Sequence, residues 1–233
     1  KGHDIVPGAA VRDLELGQEP RLTYYEWITD STVDDRGAWG YAKDLTFKTP
    51  NRVIDNLVDR VSKNGYLLLN VGPRGDGSIP QGAQEALEKL GDWLAINGEA
   101  VFGTVPWIIA EEGPTGGAAS GSFNEGSELR FNSGDIRYTA KDDCLYATCL
   151  GRPGDRLTLR KLRDVNVNPN ATHTGTAPVV CGQNLSAQDI RQITMLGVDG
   201  PLPWEFDQDG LQIDMPERVP SDIAVALKIE LTG

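Results

Sequence analysis

Leu67, Leu68 and Leu69 stand in a row inside the stretch Asn64-Gly-Tyr-Leu-Leu-Leu-Asn-Val-Gly-Pro-Arg-Gly-Asp-Gly-Ser-Ile79. Successive side chains of a strand point to opposite faces, so three consecutive leucines cannot share one side. A strand that is apolar on both faces belongs to a sheet covered on both faces, as parallel sheets between helices are. The apolar run stops at Asn70 and gives way to a turn rich in Gly, Pro and Asp. In parallel α/β folds the chemistry gathers at the carboxyl ends of the strands. A site is therefore expected where this strand ends.

The flanks fit that reading. Thr49-Pro50 is a helix start, a capping residue followed by proline in the first turn. Val53, Ile54, Leu57, Val58 and Val61 follow at helical spacing, and Asn64-Gly65 supplies the positive φ that ends a helix. A second helix is predicted from near Pro80, with Ala83, Leu87, Leu90 and Leu94 as its stripe and Asn97-Gly98 as its end. Helix, strand, loop, helix is the rhythm of a (β/α) barrel. Asn70 and Asp76 are expected to close the intervening turn on its own backbone. Gly72, Gly75 and Gly77 do not make a phosphate loop, because no Gly-Lys-Ser/Thr follows and the order is not G-x-G-x-x-G.

The character changes at Gly113-Pro-Thr-Gly-Gly-Ala-Ala-Ser-Gly-Ser122, a breaker-rich linker. Beyond it lie short strand candidates: 128–131, 136–139, 144–150, 156–159, 190–196, 210–214 and 224–231. Short strands between turn signals predict an antiparallel sandwich. The expected fold is thus α/β plus all-β. Residues 1–112 form the last units of a (β/α)8-type barrel, and residues 113–233 form a β-sandwich with an N-terminal linker. A whole barrel needs eight strands and about 250 residues. An open slice would leave unpaired strand edges. The reading therefore calls for a further N-terminal barrel segment, or for a second copy in a homo-oligomer.

Composition narrows the partners. The 233 residues carry a formal net charge of −12, which argues against nucleic acid, whose phosphates demand a basic footprint. No apolar run approaches the ~20 residues of a membrane span. Three cysteines in no tight pattern are neither a disulfide framework nor a zinc site, and Cys144 and Cys149 read as buried apolar residues. His3 and His173 are too few and too separated for a metal centre. Asp30, Asp34 and Asp35 share one loop but lack the spacing and glycine of a calcium loop, so they read as a rim of the substrate cleft or a solvated turn. No metal or organic cofactor is expected. Trp93 reads as core, Trp107 as packing at the seam between the domains, and Trp204 as an edge contact of the sandwich.

The ordered string N-G-x-L-L-L-N-V-G-P-x-x-D-G continues into Gly91-Asp-Trp-Leu-Ala-Ile-Asn-Gly-Glu-Ala-Val-Phe-Gly-Thr-Val-Pro-Trp107 and is preceded by Trp39-Gly-Tyr41. Together these motifs resemble the end of the catalytic domain of glycoside hydrolase family 29, the α-L-fucosidases. The resemblance implies a TIM barrel followed by a sandwich. It also implies retaining exo-hydrolysis of terminal α-linked L-fucose from a fucosylated oligosaccharide or glycoconjugate, and it leans towards a secreted or periplasmic setting. The family's nucleophile is an aspartate on an earlier barrel strand, and its motif is absent from this chain. For the general acid/base the resemblance offers Glu15, in Asp13-Leu-Glu-Leu-Gly-Gln-Glu19, with Asp13, Glu19 and Glu26 behind it. Aligning Trp27 with a family tryptophan puts Ile28 where some relatives carry the acid, which favours the first segment. Trp39 matches the family aromatic that faces the sugar, where the methyl and C–H faces of a 6-deoxy hexose want an apolar surface. Trp27 is expected in the same pocket. The missing nucleophile also leaves open a catalytically silent carbohydrate-binding or scaffold protein, and α-L-galactoside cleavage on the same scaffold.

Overall fold

The computed structural model describes residues 10–116, 119–125, 129–163 and 184–232. His3, His173 and Cys181 lie outside them. The chain opens with β1 (Arg12–Asp13), β2 (Trp27–Thr32), α1 (Pro50–Ser62), β3 (Gly65–Asn70) and α2 (Gln81–Asn97). β2 lies between β1 and β3, and all three run parallel, with Asp13 opposite Ile28, Ile28 opposite Tyr66 and Asp30 opposite Leu68. This is a segment of barrel wall.

Local chemistry sets the borders. Thr49 caps α1 by accepting a hydrogen bond from the Arg52 amide at 3.3 Å, and Pro50 takes the first helical position. Asn64 adopts φ 71°, so it, rather than Gly65, provides the left-handed turn after the helix. Gly65 is required for another reason. A Cβ there would stand 2.5 Å from the Trp27 indole. Trp27 itself is 0% exposed, and its Nε1 donates to the Lys63 carbonyl at 3.1 Å.

The leucine run is covered on one side only. α1 packs on one face of the sheet, while Leu68 is 57% and Tyr66 50% exposed on the other. By alternation that open face also carries Ile28 and Asp30. The expectation of burial on both faces therefore fails among the described residues, because no described element packs against the side that would line a barrel.

The remaining strands are β4 (Val105–Glu112), β5 (Ile136–Lys141), β6 (Cys144–Cys149), β7 (Arg156–Leu159), β8 (Ile190–Met195), β9 (Trp204–Asp207), β10 (Gly210–Asp214) and β11 (Val225–Leu231). They form two antiparallel sheets, β4-β5-β6-β11-β8 and β7-β10-β9, closed over one apolar core. Two expectations need correction here. The division at residue 112 falls too late, because β4 pairs with β5 and belongs to the sandwich. Trp107 does not sit at the seam. It is 2% exposed in the sandwich core, with its ring 5.5 Å from that of Tyr138. Residues 129–131 form no strand. Among the described residues no helix is long and apolar enough to cross a membrane.

The seam is part apolar and part ionic. Ile54 and Val58 of α1 and Trp93 of α2 pack with Leu150 and Ala224, and Trp93 Nε1 donates to the Ala224 carbonyl at 2.9 Å. Beside them Asp59 receives Arg137 Nε at 2.6 Å and Lys63 Nζ at 2.8 Å, and Lys63 also reaches Glu111 at 3.0 Å. Burial pushes the Asp59 carboxyl up, but Arg137 and Lys63 outweigh it and hold the pKa low. Arg137 comes from the sandwich, so this cluster bonds the two halves together.

Candidate active site

After Asp13 the chain continues alongside β2. The Leu14 amide donates to the Ile28 carbonyl and the Leu16 amide to the Asp30 carbonyl, both at 2.9 Å. Asp13, Glu15 and Asp30 thereby come together near the carboxyl ends of the strands. The Asp30 pKa is raised, first by desolvation, then by the charge of Asp13 and a hydrogen bond to it, and then by Glu15. The neighbouring carboxylates thus favour the protonated form of Asp30. Asp30 Oδ1 is buried and accepts no hydrogen bond from the described residues.

Trp39 arrives from the loop after β2. Asp34 Oδ1 shapes that loop by accepting from the amides of Arg36 at 2.9 Å and Ala38 at 2.8 Å. The string after β3 then clamps it. Asn70 Nδ2 donates to the Trp39 carbonyl at 2.8 Å and to Thr32 Oγ1 at 3.3 Å. At Gly72 a Cβ would stand 2.9 Å from the Gly40 carbonyl carbon and the Tyr41 nitrogen, so only glycine lets the two backbones approach. Asp76 closes the rest of the turn, accepting from the Ser78 amide at 2.9 Å and the Ser78 hydroxyl at 2.7 Å. Held this way, Trp39 donates from Nε1 to Glu15 Oε1 at 3.1 Å and keeps 38% of its surface exposed. Tyr41 stands nearby at 45% exposure, with the Arg74 guanidinium 5.5 Å from its ring centre.

Of the residues expected in the site, Glu15, Asp13 and Trp39 converge and three do not. Glu26 precedes the first residue of β2, at the amino end of the strand. Four residues at ~3.3 Å of rise put it roughly 13 Å from Asp30. Its carboxylate instead accepts a hydrogen bond from the Tyr66 hydroxyl and pushes that phenol up to about 12. Trp27 is interior and bonded to Lys63, so it cannot line an open pocket. Glu19 is a structural ion: it is 5% exposed, pairs with Arg12 at 2.7 Å and accepts from the Tyr25 hydroxyl at 2.7 Å. Sequence reasoning placed Asp30 on a rim or in a solvated turn. Its alternation with Ile28 and Thr32 along β2 was the signal that it faces the barrel interior. Among the described residues no cluster of three or more His, Cys, Asp or Glu side chains is arranged to hold a metal.

Active sites of (β/α) barrels gather at the carboxyl ends of the strands, and glycoside hydrolases act there through carboxyl groups. The Alpha-L-fucosidase family profile matches residues 4–99, and the Alpha-L-fucosidase C-terminal domain profile matches residues 131–230. Tissue alpha-L-fucosidase of Mus musculus is 33% identical over 208 residues, covering 88% of this chain and 37% of that protein. The Homo sapiens tissue enzyme is 31% identical over 218 residues, covering 91% and 38%. Among solved structures, the Thermotoga maritima alpha-fucosidase in complex with fucose superposes with a TM-score of 0.64 at 26% identity, over 91% of this chain and 41% of that one. Alpha-L-fucosidase isoenzyme 1 from Paenibacillus thiaminolyticus shares the fold, with a TM-score of 0.67 at 23% identity over 95% and 45%. The chain belongs to the α-L-fucosidase family. It spans 37% and 38% of the length of these mouse and human relatives.

Proposed function

We propose that this chain supplies the acid/base side of a retaining exo-α-L-fucosidase. Glu15 is the general acid that protonates the departing glycosidic oxygen and then, as a base, activates water. The observation that carries the reading is the chain of contacts from Asn70 through the Trp39 backbone to the Trp39 indole and Glu15. It joins the family string after β3 to one carboxylate. The exposed indole offers the apolar surface that a deoxysugar methyl needs. The Asp13–Asp30 pair adds a second carboxyl set beside the acid. A retaining mechanism also needs a nucleophile about 5–5.5 Å from the acid. On this reading it is an aspartate from barrel strands that this chain does not contain, and those strands cover the open face bearing Tyr66 and Leu68.

Hydrolysis of p-nitrophenyl α-L-fucoside tests the proposal, with this chain alone and with the upstream barrel strands restored. The expected result is inactivity alone and release of nitrophenol once the strands are present. Inactivity in both forms refutes the fucosidase reading and leaves carbohydrate binding without catalysis. Activity of the chain alone refutes the external nucleophile.

A further inference from the structure

Residues 119–125 come from the stretch between β4 and β5, yet they lie against residues 15–19, the segment that follows β1. Gly121 and Gln18 exchange main-chain hydrogen bonds at 3.2 and 3.1 Å. The Phe123 amide donates to the Glu15 carbonyl at 2.7 Å, and the Glu125 amide donates to the Leu16 carbonyl at 2.8 Å. Two side chains fasten the segment. Ser120 Oγ donates to Glu19 Oε2 at 2.7 Å. Glu125, 8% exposed, accepts from Ser31 Oγ at 2.8 Å and Asn56 Nδ2 at 3.0 Å, and pairs with Lys48 at 3.0 Å and Arg60 at 3.4 Å.

Phe123 stands between these fixed points. Its φ of 60° lies in the left-handed region that a bulky side chain rarely adopts. Its ring is 70% exposed, the highest value among the exposed large hydrophobic side chains of the described residues. Neither feature favours folding. Strain that persists beside a functional carboxylate, on a segment pinned at both ends, points to a role in binding.

The position of the acid says which part of a substrate would lie there. An acid that protonates a leaving oxygen must stand beside that oxygen, so the leaving group extends over the acid's own loop. We infer that Phe123 is the platform on which the C–H face of the leaving-group hexose rests, which makes it a specificity residue contributed by the sandwich side of the chain. Trp39 meets Glu15 through the carboxylate and Phe123 is tied to it through the main chain, so both aromatics are anchored to the same residue. The inference rests on the fucosidase reading above.

Kinetics on two substrates separate the roles, with the polypeptide that includes the upstream barrel strands. Methyl α-L-fucoside has no leaving-group ring, whereas the lactose leaving group of 2′-fucosyllactose has two, its galactose bonded directly to the fucose. Phe123→Ala should lower kcat/KM for 2′-fucosyllactose about tenfold more than for the methyl glycoside, the size of one stacked aromatic contact. Phe123→Tyr should keep the wild-type ratio of the two substrates. An unchanged ratio in Phe123→Ala overturns the inference while leaving the fucosidase reading intact. A wild-type protein that hydrolyses neither substrate overturns both.

Discussion

Asp55 offers the most quantitative test of the electrostatics at the seam. It lies on α1 with Oδ1 buried and accepting no hydrogen bond from the described residues. Desolvation raises its pKa from 3.8 to about 7. The nearby Arg137 opposes the rise, and Asp59 and Asp135 add to it. The sign follows from proton counting. Between about pH 4 and pH 7 the folded chain holds a proton that the unfolded chain has released, so stability falls as pH rises through that window. Above the folded pKa the penalty is complete, at about 4 kcal/mol for a shift of roughly three units. Asn cannot ionise, so Asp55→Asn escapes the penalty. Any fixed difference between amide and carboxylic acid cancels when two pH values are compared. The stability advantage of Asp55→Asn over wild type should therefore grow by about 2 kcal/mol between pH 5.5 and pH 8. Urea unfolding of both proteins at both pH values measures it. An advantage that does not change with pH would mean that Asp55 ionises normally, and the burial argument would be wrong.

Three further outcomes are expected. Gly65→Ala drives a methyl into the Trp27 indole and should destabilise the chain by about 1–3 kcal/mol in the same unfolding assay, whereas Gly75→Ala, where a Cβ meets nothing within 4 Å, should not. Glu125→Ala leaves Lys48 and Arg60 buried without their carboxylate and should cost about 3–5 kcal/mol, more than Glu125→Gln, read by thermal melting. Glu15→Gln in the active form should lower kcat on a poor leaving group by about 10²–10⁴-fold, and by much less on an activated fluoride, as expected of an acid rather than a structural carboxylate.

Much of the architecture was legible where local chemistry acts alone. Thr49-Pro50 and the 3.6-residue spacing mark α1, and β7 and β10 coincide with their candidate runs. β4 was hidden because Val105–Trp107 close the motif string that the resemblance assigns to the barrel, and β9 was passed over although Trp204-Glu-Phe-Asp207 alternates apolar and polar residues as β7 does. In the site, Glu15 and Trp39 were visible through the motifs that hold them. Their hydrogen bond was not, because it depends on Asn70 and Gly72 closing on a loop some thirty residues earlier. Glu26 and Trp27 misled because closeness in sequence is not closeness along a strand. One residue lies at the wrong end of β2 and the other points into the wall. Glu125 gave no signal at all, since its partner Ser31 is 94 residues away.

That last contact bears on how far the two halves are separable parts. The sequence has a Gly- and Ser-rich stretch where a cut looks natural, but the ionic lock formed by Glu125 with Lys48 and Arg60 lies beyond it, and Asp59 with Arg137 forms a second. A protease that severs the backbone around 113–116 would leave the fragments clasped, each holding a charge the other needs. Barrel wall and sandwich should then unfold as one cooperative unit, and transplanting the sandwich onto another enzyme would strand both sets of ions.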